Sequence, residues 1–280
     1  MARDNSKRLK SSNDPVVNSN TQAPLTFSTP TEFVELPSGG KFYAEGHPLH
    51  NQEVVEIRYM TAKDEDILTS QSLLKKGLAI DRLLQNVIVN KDINVDDLLI
   101  GDKNAIIVAS RKTGYGPEYE TQVTCPACSK TSKNVFDLNQ LTIKTGETED
   151  EGIVFQEQTA TYFLTTPATG VEVELRLLTG TDEKYLSQLA ANKRKRNLPE
   201  STLTDHLQRV IVSVNGHGDP ISIKSFVENM PARDSRYIRL AYEQISPNVD
   251  LAQGYSCGNC GFETDRMEVP FTATFFWPGR

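Results

Sequence analysis

The sequence is poor in residues that carry metal or catalytic chemistry, with only four cysteines and four histidines among 280 residues. It has no apolar run near the roughly 18 residues of a membrane span, and its start, MARDNSKRLKSSND, lacks the apolar core of a secretory signal. Basic residues number 30 against 37 acidic ones, and the net charge of −7 argues against general nucleic-acid binding. We therefore expect a protein of a reducing cytoplasm that does not enter a membrane, where cysteines are more often metal ligands than disulfide partners.

Catalytic signatures are missing as well. The sequence contains no G-x-S-x-G or H-E-x-x-H pattern, and PSGGK (37–41) lacks the rest of a phosphate-binding loop. The histidines have no spacing that indicates a shared metal site. These absences predict no catalytic residues, no small-molecule substrate and no enzymatic activity.

What the sequence does contain is a mixture of strand and helix patterns that predicts an α+β fold. EVVEIRYM (53–60) has the composition of a strand, and Thr61 followed by Asp64 resembles a capping box with aspartate in place of glutamate. One helix is predicted from there to Gly77. The other predicted elements before residue 140 are a strand from Phe33, helices within 78–89 and 95–116, and a hairpin over 117–138.

Four segments of the first part of the chain recur later in the same order. FVELPSGGK (33–41) resembles FLTTPATGV (163–171), VEIRYMTAKDEDIL (55–68) resembles VELRLLTGTDEKYL (173–186), LQNVIVN (84–90) resembles LQRVIVS (207–213), and TCPACSK (124–130) resembles SCGNCGF (256–262). The spacing between partners changes only where glycine, proline and charged residues indicate surface loops, which tolerate insertions. Any single pair is open to explanation by chance, but four collinear pairs predict an internal duplication.

The duplication determines the predicted domain organisation. Residues 31–142 and 161–280 are two similar αβ halves, each ending in a hairpin with two cysteines at its tip. Residues 143–160, which include an acidic stretch, are the predicted linker. Residues 1–30 are rich in serine, asparagine, threonine and proline and are predicted to be a disordered tail.

Each half carries one C-x2-C motif, Cys125 with Cys128 and Cys257 with Cys260. One motif supplies only two of the four protein ligands of a closed structural zinc site. We therefore expect the two hairpin tips, or knuckles, to meet in a single tetrahedral four-thiolate site that joins the halves. Such a site leaves no position for water, so the predicted zinc is structural. Iron in place of zinc, free thiols, and a redox or disulfide role are the alternatives.

Two further segments are candidates for partner binding. The basic run NKRKRN (192–197) is either a contact for a phosphate or acidic partner, or a solvated helix end or loop. The aromatic chain end VPFTATFFWPGR is either a partner anchor or a core strand between the halves. The candidate partner-binding residues are Arg194, Lys195, Arg196, Phe275, Phe276 and Trp277.

Several motifs taken together resemble the T4-type phage baseplate hub assembly chaperone family. They are FVELPSGGKFYAEG, VEIRYMTAKDEDILTS, GLAIDRLLQNVIV, DDLLIGDKNAIIVASRKTGYGPEY and the two distant C-x2-C motifs. The resemblance implies a phage protein that binds baseplate hub proteins in the host cytoplasm during assembly of a contractile tail. It implies a hub assembly chaperone or a minor structural hub component of the virion baseplate, and no catalytic residues.

A second hypothesis is a zinc-ribbon protein that binds nucleic acid or is associated with transcription. The C-P-x-C and C-x-x-C-G knuckles and the KRKR run favour it. The net charge of −7 and the lack of interleaved basic and aromatic residues near the knuckles oppose it. This hypothesis predicts nucleic-acid binding that weakens steeply as salt increases.

Overall fold

Helices alternate with several small antiparallel sheets, which confirms the predicted mixed α+β class. The computed structural model describes residues 28–148, 150–270 and 275–276. The first elements are β1 (Thr31–Glu35), β2 (Val54–Arg58), α1 (Ala62–Thr69), α2 (Gln71–Lys76), α3 (Ala79–Val87), α4 (Ile100–Tyr115), β3 (Glu118–Thr124), β4 (Thr131–Asp137) and β5 (Thr142–Lys144). The later ones are β6 (Ile153–Gln156), β7 (Thr161–Thr165), β8 (Glu172–Arg176), α5 (Gly180–Lys195), α6 (Thr202–Val210), β9 (Ile211–Val214), α7 (Pro220–Asn229), α8 (Ala232–Ile245), β10 (Asn248–Asp250), β11 (Ala252–Ser256) and β12 (Glu263–Glu268).

The helix start predicted at Thr61 is present as a full capping box. The Asp64 carboxylate accepts from the Thr61 backbone N–H at 2.8 Å and also binds the Arg58 guanidinium at 2.7 Å. The single helix predicted from there to Gly77 is wrong, because the chain becomes extended at Ser70 and divides it into α1 and α2. The Ser70 carbonyl then accepts from the backbone N–H of Leu74 to begin α2. Gly77 does end α2, in the left-handed conformation that favours glycine.

The same capping arrangement is found at the start of α5. Asp182 accepts from the Thr179 backbone N–H at 2.9 Å and binds Arg176 at 2.8 Å. Both aspartates are buried. Asn86, in LQNVIVN, binds Asp64, and Arg209, in the matching segment LQRVIVS, binds Asp182. Residues at matching positions of the paired segments therefore make the same kind of contact.

Backbone pairing also recurs between the halves. β1 pairs antiparallel with β2, and β7 pairs antiparallel with β8. The segment that follows α3 then pairs with β2, and the segment that follows α6 pairs with β8. In the first half this added segment forms a single bridge between Ile57 and Ile88, whereas in the second half it is the strand β9. The second half also has the strand β6 on the other side, which gives a sheet in the order β6-β7-β8-β9.

In each predicted half, a buried aspartate of a long helix, α4 or α8, binds the turn that follows β1 or β7. Asp102 in α4 accepts from the Ser38 backbone N–H at 3.0 Å, and Asp234 in α8 accepts from the Ala168 backbone N–H at 2.8 Å. Both turns have the pattern P-x-x-G, and each aspartate is the third residue of its helix. The turns belong to matched segments of the sequence, whereas Asp102 and Asp234 lie outside them.

The two predicted halves are in direct contact at a partly buried ion cluster, in which Lys103 and Asp81 are largely covered and Glu183 is exposed. Lys103 of α4 binds Asp81 of α3 at 3.0 Å and Glu183 of α5 at 2.7 Å. Lys184 of α5 binds the same Asp81 at 2.9 Å and Asp96 at 2.5 Å. Because removal of one charge from such a cluster leaves its partner uncompensated, the cluster fixes how α5 lies on α3 and α4.

The segment predicted as the linker pairs with strands of the second predicted half. β5 pairs with β10, and β6 pairs with β7. Most of the predicted disordered tail lies outside the described residues; within them, the Pro30 carbonyl accepts from the Tyr59 backbone N–H next to β1. None of the described helices is long and apolar enough to cross a membrane.

Candidate metal centre

The two knuckles have the same backbone geometry. In the first, the backbone N–H of Cys125 donates to the Lys130 carbonyl and the backbone N–H of Ser129 donates to the Cys125 carbonyl, both at 2.9 Å. The matching bonds of the second knuckle join Cys257 with Phe262 at 2.8 Å and Gly261 with Cys257 at 3.0 Å. Each knuckle forms at the tip of an antiparallel hairpin, β3–β4 or β11–β12, as predicted.

The structure brings all four cysteine sulfurs together from the two hairpins, within 4.8 Å of one another. The Sγ atoms of Cys125 and Cys260 are 3.8 Å apart, and those of Cys128 and Cys257 are 3.9 Å apart. A tetrahedral zinc with Zn–S bonds of about 2.3 Å requires sulfurs about 3.8 Å apart. The spacing therefore fits one metal ion held by both knuckles, while sulfurs at these distances are not bonded to each other as a disulfide.

The surroundings of Cys257 and Cys260 shift the pKa values of their thiols in opposite directions. The backbone N–H groups of Cys260 and Asn259 lower the pKa of the Cys257 thiol to about 6. The backbone N–H of Phe262 lowers the pKa of Cys260, but desolvation and the three neighbouring thiols outweigh it and raise that pKa to about 12. A bound metal ion would favour the thiolate form of all four cysteines, because metal coordination deprotonates the thiols and compensates their negative charge.

A polar contact also crosses between the knuckles beside the sulfurs. The Lys130 Nζ donates to the Asn259 side-chain oxygen at 2.8 Å, and the Asn259 side-chain nitrogen lies 3.6 Å from the Cys128 sulfur. Such neighbours orient metal ligands. Sequence reasoning missed this contact because nothing in the spacing of the cysteines specifies which residues face each other across the two tips.

The aromatic chain end is only partly described. Phe275 and Phe276 are each 2% exposed and pack edge-to-face on one another, and Phe275 also packs on Tyr119. The Arg111 side chain donates to the Phe275 carbonyl at 2.8 Å. The structure thus gives these two phenylalanines the core position rather than an accessible partner anchor. Trp277 lies outside the described residues.

The basic run forms the end of α5 and the turn after it. Arg194 binds Glu200 at 2.9 Å on the surface, and Lys195 and Arg196 are exposed. Lys193, in the same run, instead binds Asp205 at 2.6 Å and so connects α5 to α6. In the basic run, Lys193 therefore forms an ion pair that connects two helices, while Arg194, Lys195 and Arg196 are exposed.

Comparison with known proteins gives one family. A family model described as "T4 bacteriophage base plate protein" matches residues 29–277. No curated protein and no solved structure matches the chain.

Proposed function

This chain belongs to the T4 bacteriophage base plate protein family, and we propose that it binds baseplate hub subunits during tail assembly, as a hub assembly chaperone or a minor structural hub component. The observation that carries the proposal is the family match over residues 29–277, which includes both knuckles and the elements between them. Family membership supports contacts with other phage baseplate proteins. The hub subunits as clients, and the host cytoplasm as the place of assembly, rest on the motifs that resemble hub assembly chaperones.

We also propose that the chain is an internal duplication whose halves are joined by one structural zinc. The recurring capping boxes, the recurring buried aspartates and the matching knuckle bonds support the duplication. The sulfur separations support a single ion. A closed site of four thiolates has no open coordination position, so the proposed metal would be structural rather than catalytic. We propose that the protein as a whole acts by binding.

The test is mass spectrometry on two samples from one infection, purified virions and a pull-down of the tagged protein from the lysate. Hub subunits in the pull-down with none of this chain in virions would identify a chaperone that leaves the baseplate. A fixed copy number in virions would identify a hub component. Absence of tail proteins from the pull-down together with absence of the chain from virions would contradict the proposal and favour nucleic-acid binding, which a gel shift at low salt would then examine.

A further inference from the structure

The outer edge of β1 differs from the same edge in the second half. In the second half, β6 pairs with β7 and covers its outer side, with Val154 opposite Phe163. β1 is the counterpart of β7, and among the described residues it pairs only with β2. We propose that the outer edge of β1 is a strand-addition site for an extended segment of a partner protein, which takes the place that β6 occupies in the second half.

The backbone groups along this edge are directed outward. The bonds that close the β1–β2 ladder are Leu36 N–H to the Glu53 carbonyl and Tyr59 N–H to the Pro30 carbonyl. Because hydrogen-bonded residues alternate along an antiparallel strand, Thr31, Phe33 and Glu35 present their N–H and carbonyl groups to the opposite side. The same alternation directs Phe163 toward β6 in the second half. An edge of this kind is a template for an added strand.

Side-chain exposure follows the same difference. Phe33 is 66% exposed, whereas its counterpart Phe163 is half-buried. Thr31 is exposed, whereas its counterpart Thr161 is buried. The large apolar side chain of Phe33 therefore has surface that a strand equivalent to β6 would cover.

The sequence argues that the occupant comes from another protein. The offset of 130 that relates β1 to β7 places Pro24 at the position of Val154. Proline has no backbone N–H, so the chain's own preceding segment cannot repeat the Val154–Phe163 hydrogen-bonded pair in that register. A partner strand that supplies an N–H at this position can do so.

The chemistry of the occupant follows from β6 and from the charges around β1. β6 has the sequence IVFQ, so the occupant is a short extended segment with apolar residues. β1 and β2 carry Glu32, Glu35 and Glu56, and Glu53 adjoins them; Arg58, the cation of β2, is bound to Asp64. Lysine or arginine beside the apolar core of the partner strand would complement these carboxylates.

The test uses the full chain and a synthetic peptide, KGIVFQK, which carries the core of β6 between lysines. A matched peptide, KGIPFQK, lacks the central N–H. We expect saturable binding of KGIVFQK, slower amide hydrogen exchange at Thr31, Phe33 and Glu35 on binding, and binding of KGIPFQK that is weaker by about tenfold, the order expected for one lost hydrogen bond.

Two variants at Phe33 distinguish the contribution of the backbone N–H to peptide binding from that of the side chain. Phe33→Pro removes both the ring and an outward N–H without removing a β1–β2 bond, and we expect it to weaken KGIVFQK binding about 20- to 50-fold. Phe33→Ala keeps the N–H, so binding should weaken only about two- to fivefold through the lost cross-strand contact. The comparison of the two peptides on the unaltered chain remains decisive if Phe33→Pro folds poorly.

Three results would overturn the proposal. The first is equal binding of the two peptides, or no binding of KGIVFQK. The second is slow exchange of the Phe33 amide in the chain alone at all concentrations, which would show that the chain covers its own edge. The third is protection that increases with protein concentration, which would make a second copy the occupant. The inference does not rest on hub binding, because this assay and co-purification with hub subunits can fail independently.

Discussion

At the scale of single residues, two fully buried aspartates differ in what compensates their charge. Asp64 is bound by the Arg58 guanidinium and by both donors of Thr61. Burial raises its pKa, but these partners outweigh burial and lower the pKa to about 2. Within the described part of the chain, Asp102 accepts only from the neutral groups of Ser38 and Tyr43, and burial raises its pKa despite those bonds.

This difference predicts unequal effects of replacing each aspartate by asparagine. Asp64→Asn leaves Arg58 without its counter-charge and should cost about 3 kcal/mol of unfolding free energy, near the lower end for a broken buried pair because Arg58 is partly exposed. Asp102→Asn removes a buried charge that has no cationic partner, and should cost only about 1 kcal/mol because both hydroxyls can reorient. Urea unfolding at neutral pH measures both; equal losses would contradict this explanation.

Asp64 and its counterpart Asp182 determine how the stability of the folded state changes at acid pH. The folded pKa of Asp64, about 2, lies below its ordinary value of 3.8, so the folded state binds fewer protons than the unfolded state between these values. Its stabilising contribution is complete above about pH 4 and is lost as the pH falls toward 2. Asp182 has the same pKa of about 2, because its bonds to Arg176, Thr179 and Arg209 outweigh burial. Asp64→Asn should therefore flatten the decline of stability between pH 4 and 2.

At the scale of elements, the two knuckles place different residue types at one left-handed backbone position. Ser129 has a φ of 56° and its counterpart Gly261 a φ of 71°, and only glycine adopts this region at no cost. Ser129→Gly should stabilise the protein by up to about 1 kcal/mol, and Gly261→Ser should destabilise it by about 1 kcal/mol. A Cβ at Gly261 would meet no atom within 4 Å, so the cost is conformational and not steric. Thermal unfolding measures both changes, and shifts of the same sign would contradict the assigned geometry.

At this scale, the sequence predicted the features that are determined by neighbouring residues in the chain. The capping box at Thr61, the helix end at Gly77 and the hairpins around the cysteines each depend on a few adjacent residues. The break at Ser70 and the Asp102–Ser38 contact were missed. The contact joins residues 64 positions apart, and pairing at that distance leaves no periodic signal in the sequence.

At the scale of the whole molecule, the cysteine spacing predicted that the four thiols meet but not what surrounds them. The repeat implied two hairpin tips facing each other, and the sulfurs do converge. The inter-half cluster of Lys103, Asp81 and Glu183 was not predicted, because charged surface residues in a sequence do not show which of them a second half will bury. The burial of Phe275 and Phe276 was one of two alternatives for the chain end, and the sequence alone did not decide between them.

A metal ion bound by both knuckles, as proposed, would make the two hairpins depend on each other for stability. Cys125→Ser and Cys257→Ser should each lower the midpoint of thermal unfolding of the whole chain by about 10 °C, because each removes a ligand of the proposed ion and so several kcal/mol of folding free energy. Gly258→Ala is a matched control in the same knuckle, since a Cβ there would meet no atom within 4 Å. It should retain both the metal and the unfolding midpoint.

The most direct measurement is the metal content per chain of the purified full-length protein, by inductively coupled plasma mass spectrometry, for the unaltered chain and these three variants. One ion per chain in the unaltered protein and in Gly258→Ala, with loss of that ion in both serine variants, is the predicted result, and the same spectrum identifies zinc or iron. Two ions per chain, none, or an ion retained in Cys257→Ser would contradict a single site shared by the two halves.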